Sequence, residues 1–194
     1  MSAISRWAGA LALAAVTAGA AQAQPQTFTA TLTGSQENPP VASAGFGNAL
    51  FTLNENMLRI QVTFGGLTGT TTASHVHCCV PPTTNAGVAT QVPTFVGFPL
   101  GVTSGSYDNT FDLTQASSFN PVFVTNNGGT VLGARNALVN GMLAGQSYLN
   151  IHTNFAPGGE IRGQILSTVP EPSTYVLLAS GLAGVGLIAR RRRA

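Results

Sequence analysis

Residues 49–64 read ALFTLNENMLRIQVTF, and this stretch decides the fold class. Apolar side chains occupy every second position around Asn54-Glu55-Asn56, at 49, 51 and 53 before these turn residues and at 58, 60, 62 and 64 after them. Because side chains alternate between the two faces of a strand, this period places the apolar set on one buried face. A short polar connection between two such runs is typical of an antiparallel hairpin. The stretch therefore predicts two neighbouring strands that share one core.

The same alternation recurs along the rest of the central segment. Five further candidate strands cover residues 28–32, 73–78, 107–113, 148–153 and 160–166. The segment from Ala134 to Leu143, which is followed by Gly145, has the composition of a short helix with a glycine stop. About seven strands without regular strand-helix alternation predict an all-β fold, an antiparallel Greek-key-like β-sandwich with one short helix.

The charges of the chain lie mainly at its ends. The 194 residues include 8 basic and 6 acidic side chains, and their net charge is +2. Every basic residue is an arginine, and residues 25–167 keep only three of them against five acidic side chains. A nucleic-acid-binding domain needs clustered cations to displace counterions from phosphates. The composition therefore excludes nucleic acid as a partner and is typical of an exported, β-rich domain.

The first 23 residues predict a secretory signal peptide. Arg6 precedes an apolar run over residues 7–18, and Ala21-Gln22-Ala23 supplies a small-x-small cleavage sequence. We expect signal peptidase to cleave after Ala23, so that the mature chain starts near Gln24. The remaining chain then divides into a domain over residues 24–167 and a tail over residues 168–194.

The tail combines a proline motif, an apolar segment and an arginine cluster. Pro170, Glu171 and Pro172 precede the almost wholly apolar residues 175–189, and the chain then continues with Arg190, Arg191, Arg192 and Arg193. A 15-residue helix would cover about 22 Å of a hydrocarbon core about 30 Å thick, so it is a short membrane span. The arginines would hold its end on the cytoplasmic side.

This tripartite tail resembles the PEP-CTERM sorting signal. The resemblance implies transient anchoring in the inner membrane of a Gram-negative, exopolysaccharide-producing bacterium. It also implies cleavage near Pro170-Glu171-Pro172 by an exosortase, followed by delivery to the cell surface or extracellular matrix.

Three patches of the central segment resemble the CHRD domain first described in chordin. They read LTGSQENPPV at 32–41, ASHVH at 73–77, and GQSYLNIHT at 145–153 with GEIRG at 159–163. The resemblance covers residues 28–166 and implies a β-rich extracellular domain. Glu37 and Glu160 both fall in these patches, where bonding to the backbone or to Arg162 is the expected role of their carboxylates.

The three histidines of the chain suggest a metal site. His75 and His77 are two residues apart on one strand, so both project from the same face, and His152 shares its face with Tyr148 and Asn150. If the two strands are neighbours, the histidines could converge on copper or zinc. The His-Val-His sequence also resembles a strand of copper/zinc superoxide dismutase, but three histidines are too few for the two-metal site of that enzyme.

An alternative interpretation of the histidines needs no metal. In it they form a hydrogen-bonded cluster that fixes the sheet register, and the other members of the cluster are Asn150, Thr153, Glu160 and Arg162.

Cys78 and Cys79 are the only cysteines of the chain, and they directly follow the histidine pair. In an oxidising compartment we expect them to react. Adjacent cysteines can close only an eight-membered ring, so they cannot cross-link distant parts of the fold. Three alternatives remain open: a vicinal disulfide, which we favour, a bridge to another chain, or thiolate ligands added to His75 and His77.

Together these features predict an exported, non-enzymatic protein of the cell surface or extracellular matrix. It would act as a structural or adhesive module, with exopolysaccharide or surface proteins as partners. The competing hypothesis is a secreted single-site copper or zinc protein, whose redox-active form would be a copper-dependent oxidoreductase.

Overall fold

The computed structural model describes residues 24–168, 180–185 and 190–191. Eight strands and two α-helices make up the domain. The strands are β1 (Gln26–Thr33), β2 (Phe46–Asn54), β3 (Met57–Gly65), β4 (Thr71–Cys78), β5 (Gly105–Asp112), β6 (Ser147–Thr153), β7 (Ile161–Gln164) and β8 (Leu166–Ser167). The helices are α1 (Pro121–Asn126) and α2 (Val131–Leu143), and short 3-10 turns lie at Gly34–Gln36 and Ala116–Ser118.

The strands form one curled antiparallel sheet in the order β4-β6-β7-β1-β2-β3-β5, and β8 pairs with β1. The first three strands follow each other as a meander, after which the chain crosses from β3 to β4 at the opposite edge. From β4 the chain returns to the first edge, where β5 pairs with β3. It then crosses again, and β6 pairs with β4. This exchange between the two edges is a Greek-key-like connection, and the expected all-β fold class is confirmed.

The hairpin predicted from residues 49–64 is the connection between β2 and β3. Its register pairs Phe51 with Ile60 and Asn54 with Met57, so Glu55 and Asn56 form the two-residue turn. Glu55 adopts a positive φ of 55°, as the tight turn requires. The alternating apolar positions 49, 51, 53, 58, 60, 62 and 64 are buried, as their pattern indicates.

A single hydrophobic core joins the two halves of the sheet. Phe28, Phe51 and Ile60 from one half and Leu149 and Ile151 from the other are fully buried in the same cluster. Burial of such side chains stabilises a fold by about 1.5–3 kcal/mol each relative to leaving them in water. The curl of the sheet therefore encloses the core. The opposite face of β4 and β6, which carries the histidines, is covered by loops.

The helix expected over residues 134–143 is the C-terminal part of α2. Thr130 caps its start by accepting a hydrogen bond from Gly133 N at 3.0 Å, which places the first helical residue at Val131. A second helix, α1, was not predicted. Its start has recognisable signals, because Asn120 caps it and Pro121 occupies the first turn.

Several predicted features lie outside the described residues. These are the signal peptide with Ala23, the Pro170-Glu171-Pro172 motif, residues 175–179 and 186–189 of the apolar segment, and Arg192 and Arg193. Residues 180–185 and 190–191 are helical. Within the part of the chain that the structure describes, no helix is both long and apolar enough to cross a bilayer.

Candidate metal centre

Strands β4 and β6 are hydrogen-bonded neighbours. The strand that carries His75 and His77 therefore lies next to the strand that carries His152, as convergence of the three histidines requires. Their antiparallel register pairs His75 with Asn150, His77 with Tyr148 and Ala73 with His152. Paired residues point to the same face of a sheet, and the face alternates along each strand. The register therefore gathers the three imidazoles on one face.

The ring nitrogens of these histidines lie close together. One nitrogen from each ring falls within 4.8 Å of the other two, and His75 Nδ1 is 3.2 Å from His152 Nε2. Three nitrogens bound tetrahedrally to zinc at about 2.0–2.1 Å would be separated by about 3.4 Å. One pair already has this spacing, and His77 would need to approach by no more than about 1.4 Å.

One nitrogen of each histidine ring contacts a backbone carbonyl. His75 Nε2 lies 2.8 Å from Pro93 O, and His77 Nδ1 lies 2.8 Å from Ala86 O. His152 Nδ1 lies 2.9 Å from Pro157 O. A carbonyl oxygen only accepts hydrogen bonds, so each of these nitrogens must carry the hydrogen. The hydrogen-bond partners thus assign the tautomers and leave bare lone pairs on His75 Nδ1, His77 Nε2 and His152 Nε2.

Bare lone pairs at this separation repel each other unless a cation lies between them. His77 Nε2 is buried and has no hydrogen-bond partner among the described residues. Burial is the main cause that lowers the pKa of all three imidazoles, and it lowers that of His77 to about 4 although Ala86 O acts in the opposite direction. All three rings are therefore neutral at pH 7, the form in which imidazole binds metal ions.

The histidines lie beside a buried ion pair between Glu37 and Arg162, and bonding to Arg162 is one of the two roles expected for this carboxylate. Arg162 Nε donates to Glu37 Oε2 at 2.7 Å, and the two side chains are only 7% and 3% exposed. Asn150 Nδ2 also donates to Glu37, at 3.1 Å. Burial raises the pKa of the Glu37 carboxyl, although Arg162 and Asn150 act against this.

Tyr148 connects this ion pair to the histidines. Its ring stacks on His77 at 4.8 Å between centroids, and the guanidinium of Arg162 lies 4.3 Å from its centroid. Tyr148, Arg162, Glu37 and His77 line a cavity of about 350 Å³ that also borders Asn85. His77 is thus packed against Tyr148 and is the one histidine of the three that lines this cavity.

Comparison with known families accounts for most of the chain. A family model for the CHRD domain matches residues 28–165. The chain belongs to the CHRD domain family. A second family model, for the PEP-CTERM protein-sorting motif, matches residues 168–193. The CHRD and PEP-CTERM resemblances are confirmed, while no curated protein and no solved structure matches the chain.

All three histidines of this CHRD domain fall within the matched range. The sorting motif identifies the chain as an exported protein that exosortase processing directs through the membrane to the surface of Gram-negative bacteria.

Glu160 is a second fully buried acid of the CHRD domain, and it has a different set of partners. Its carboxylate accepts hydrogen bonds from Ser43 Oγ at 2.6 Å, Thr153 Oγ1 at 2.7 Å, Thr68 N at 2.5 Å and Gly69 N at 3.0 Å. Burial alone would raise the pKa of Glu160, but these hydrogen bonds together hold it below its ordinary value. Glu160 therefore fastens two loop segments, at Ser43 and at Thr68, to the end of β6 as a charged acceptor.

The polar residues of the metal-free alternative do not form one cluster in this CHRD domain. Asn150 and Arg162 bind Glu37, whereas Thr153 binds Glu160. The histidines contact backbone carbonyls, and His75 Nδ1 lies 3.2 Å from His152 Nε2.

Cys78 and Cys79 are joined to each other as a disulfide. Cys78 alternates with His77 along β4, so its side chain enters the opposite, core face of the sheet. The sulfurs lie 3.8 Å and 3.3 Å from Ala137 O on α2. Within the described residues, the group with metal-ligand geometry consists of the three histidines and includes neither cysteine.

Proposed function

We propose that this exported CHRD protein binds a single copper or zinc ion through His75, His77 and His152. The observation that carries the proposal is the orientation of the rings. One nitrogen of each ring lies within 4.8 Å of the other two, and each ring also has a nitrogen that is fixed on a backbone carbonyl. Metal-binding histidines characteristically donate their second N–H to such an outer partner, which sets the tautomer and orients the ring.

The chemistry of the donor set supports copper or zinc over other ions. Neutral imidazoles suit these two metals, whereas magnesium and calcium prefer oxygen ligands. Three protein nitrogens leave at least one coordination position for water or an external ligand. Because no carboxylate belongs to the histidine group in the described residues, the bound ion would keep its full positive charge.

The surface location and the metal site together suggest a protein that holds metal ions outside the cell. The sorting motif supports the location. We further propose that signal peptidase cleaves after Ala23 and exosortase cleaves near Pro170-Glu171-Pro172, releasing the domain over residues 24–167.

A structural or adhesive role at the cell surface is the second candidate. It is favoured by the way Glu37 and Glu160 fix loops onto the sheet through buried hydrogen bonds, since this produces a rigid module. CHRD is a non-catalytic domain family, which agrees with this candidate. Exopolysaccharide and surface proteins are the partners we would test by copurification from fractionated cells.

Metal titration of the purified protein tests the first candidate. We expect calorimetry with copper(II) or zinc(II) to give one ion per chain, and mass spectrometry of the metal content to agree. His77→Ala and His152→Ala should each abolish stoichiometric binding. Thr72→Ala, a change at an exposed position of β4, should leave it intact. Absence of stoichiometric binding of both metals to the natural protein would overturn the proposal.

A further inference from the structure

The disulfide and the candidate metal centre share one short stretch of chain. His77, Cys78 and Cys79 are consecutive, and β4 ends at Cys78. The following loop folds back on this stretch, because Cys78 N donates to Gly87 O at 3.3 Å and His77 forms a bridge with Val88. Any change at the disulfide is therefore transmitted to the loop that covers His77.

The same loop supplies the outer contacts of the candidate centre. Ala86 O accepts the hydrogen bond from His77 Nδ1, and Ala86 N donates to the hydroxyl of Tyr148 at 3.0 Å. The adjacent Asn85 accepts a hydrogen bond from Arg162 at 2.7 Å. Asn85 and Ala86 thus hold three side chains in place: the imidazole of His77, the Tyr148 ring stacked on it, and the guanidinium of Arg162.

Helix α2 leaves little room for the two sulfurs to separate. The sulfurs of Cys78 and Cys79 lie so close to Gly141 that a Cβ atom there would overlap both of them. Ala137 O contacts them from the preceding turn of the helix. Two thiols need more space than two bonded sulfurs, because non-bonded sulfur atoms cannot approach to bonding distance.

The direction open to movement is away from α2. Cys79 is exposed, whereas Cys78 is buried. A cavity of about 260 Å³ borders both cysteines together with Gly87 and Asn120. Separation of the sulfurs would therefore displace Cys79 outward and carry the loop over residues 80–88 with it.

We propose that the Cys78–Cys79 disulfide controls metal binding by keeping this loop on His77. This inference rests on the proposed function. A dithiol reductant donates two electrons and two protons, the S–S bond breaks to give two thiols, and the reductant leaves as its own disulfide. The displaced loop then withdraws Ala86 O from His77 Nδ1. Loss of such an outer partner typically weakens metal affinity 10- to 100-fold.

Zinc competition with a chromophoric chelator tests the inference on the full-length purified protein. Zinc is suitable because it has no redox chemistry of its own under these conditions. Affinity is measured for the disulfide form, for the form reduced with a trialkylphosphine under anaerobic conditions, and after reoxidation. Thiol counting verifies each state, and circular dichroism verifies that the sheet persists. We expect reduction to raise the dissociation constant 10- to 100-fold and reoxidation to restore it.

The double variant Cys78→Ser/Cys79→Ser serves as the matched control. It should bind zinc as weakly as the reduced protein and should not respond to the phosphine. If this variant does not fold, the reversible cycle of the natural protein still decides the question. Equal or tighter zinc binding by the reduced form would overturn the inference. Absence of zinc and copper binding by the disulfide form would instead overturn the metal site itself.

Discussion

Replacement of Arg162 by methionine should destabilise the domain strongly, because it leaves the Glu37 carboxylate buried without its cation. The two side chains are 7% and 3% exposed, and their closest atoms are 2.7 Å apart. Removal of one partner from such a buried pair typically costs about 3–5 kcal/mol of unfolding free energy. The substitution also removes the hydrogen bond to Asn85 and the contact with Tyr148.

The unfolding free energy lost on Arg162→Met should be larger at neutral pH than at acidic pH. Burial already raises the pKa of Glu37, and removal of Arg162 raises it further in the folded state. A carboxyl with a raised folded-state pKa favours folding when it is protonated and opposes folding as pH rises through that pKa. The difference in unfolding free energy between the natural protein and Arg162→Met should therefore be smaller at pH 4.5 than at pH 7.

Urea denaturation of both proteins at the two pH values provides the measurement. Adding Glu37→Gln to the Arg162→Met background should recover about half of the loss, since glutamine carries no charge. Arg59→Met is the matched control, because it breaks an ion pair with Asp108 whose side chains are 51% and 49% exposed, and it should barely change stability. A loss below about 1 kcal/mol for Arg162→Met, or an equal loss at both pH values, would refute the reasoning.

Three further predictions concern other buried groups. The metal-free protein should lose up to about 3 kcal/mol of unfolding free energy as pH falls from 6.5 to 4, because the pKa of His77 falls from 6.5 to about 4 on folding. Urea titrations with a chelator present should show this pH dependence, and His77→Gln should reduce it. Glu160→Gln should cost about 1–3 kcal/mol in chemical denaturation, whereas the exposed control Glu55→Gln should cost nothing measurable. Gly141→Ala should destabilise the disulfide form by about 1–3 kcal/mol, because the added Cβ overlaps the sulfurs of Cys78 and Cys79. Unchanged stability would contradict this, and so would an equal loss in a background where both cysteines are replaced by alanine.

Local periodicity was sufficient to predict the strands but not all of the helices. The seven longer strands follow from apolar residues at every second position, since burial of one face imposes that period. Helix α1 was missed because its six residues are too few to show a helical period, although Asn120 and Pro121 mark its start. The capping residues were the available signal.

The candidate site was predictable only in part, because strand order is a long-range property. Alternation along β4 places His75 and His77 on one face, but only the pairing of β4 with β6 brings His152 to them. For Glu37, bonding to the backbone or to Arg162 was expected from its place in the first CHRD patch. The choice between the two could not be made from the sequence, since Arg162 lies 125 residues further along the chain.

The pairing of β1 with β8 determines how the domain can be attached. Thr168 N donates to Thr27 O at 3.0 Å, so the chain enters and leaves the domain at one corner of the sheet. A tether at either end would hold the same corner and present the same opposite end to the surroundings. The two ends could also be joined by a short linker and new ends opened in a surface loop, giving a circular permutant that keeps every strand pair of the sheet.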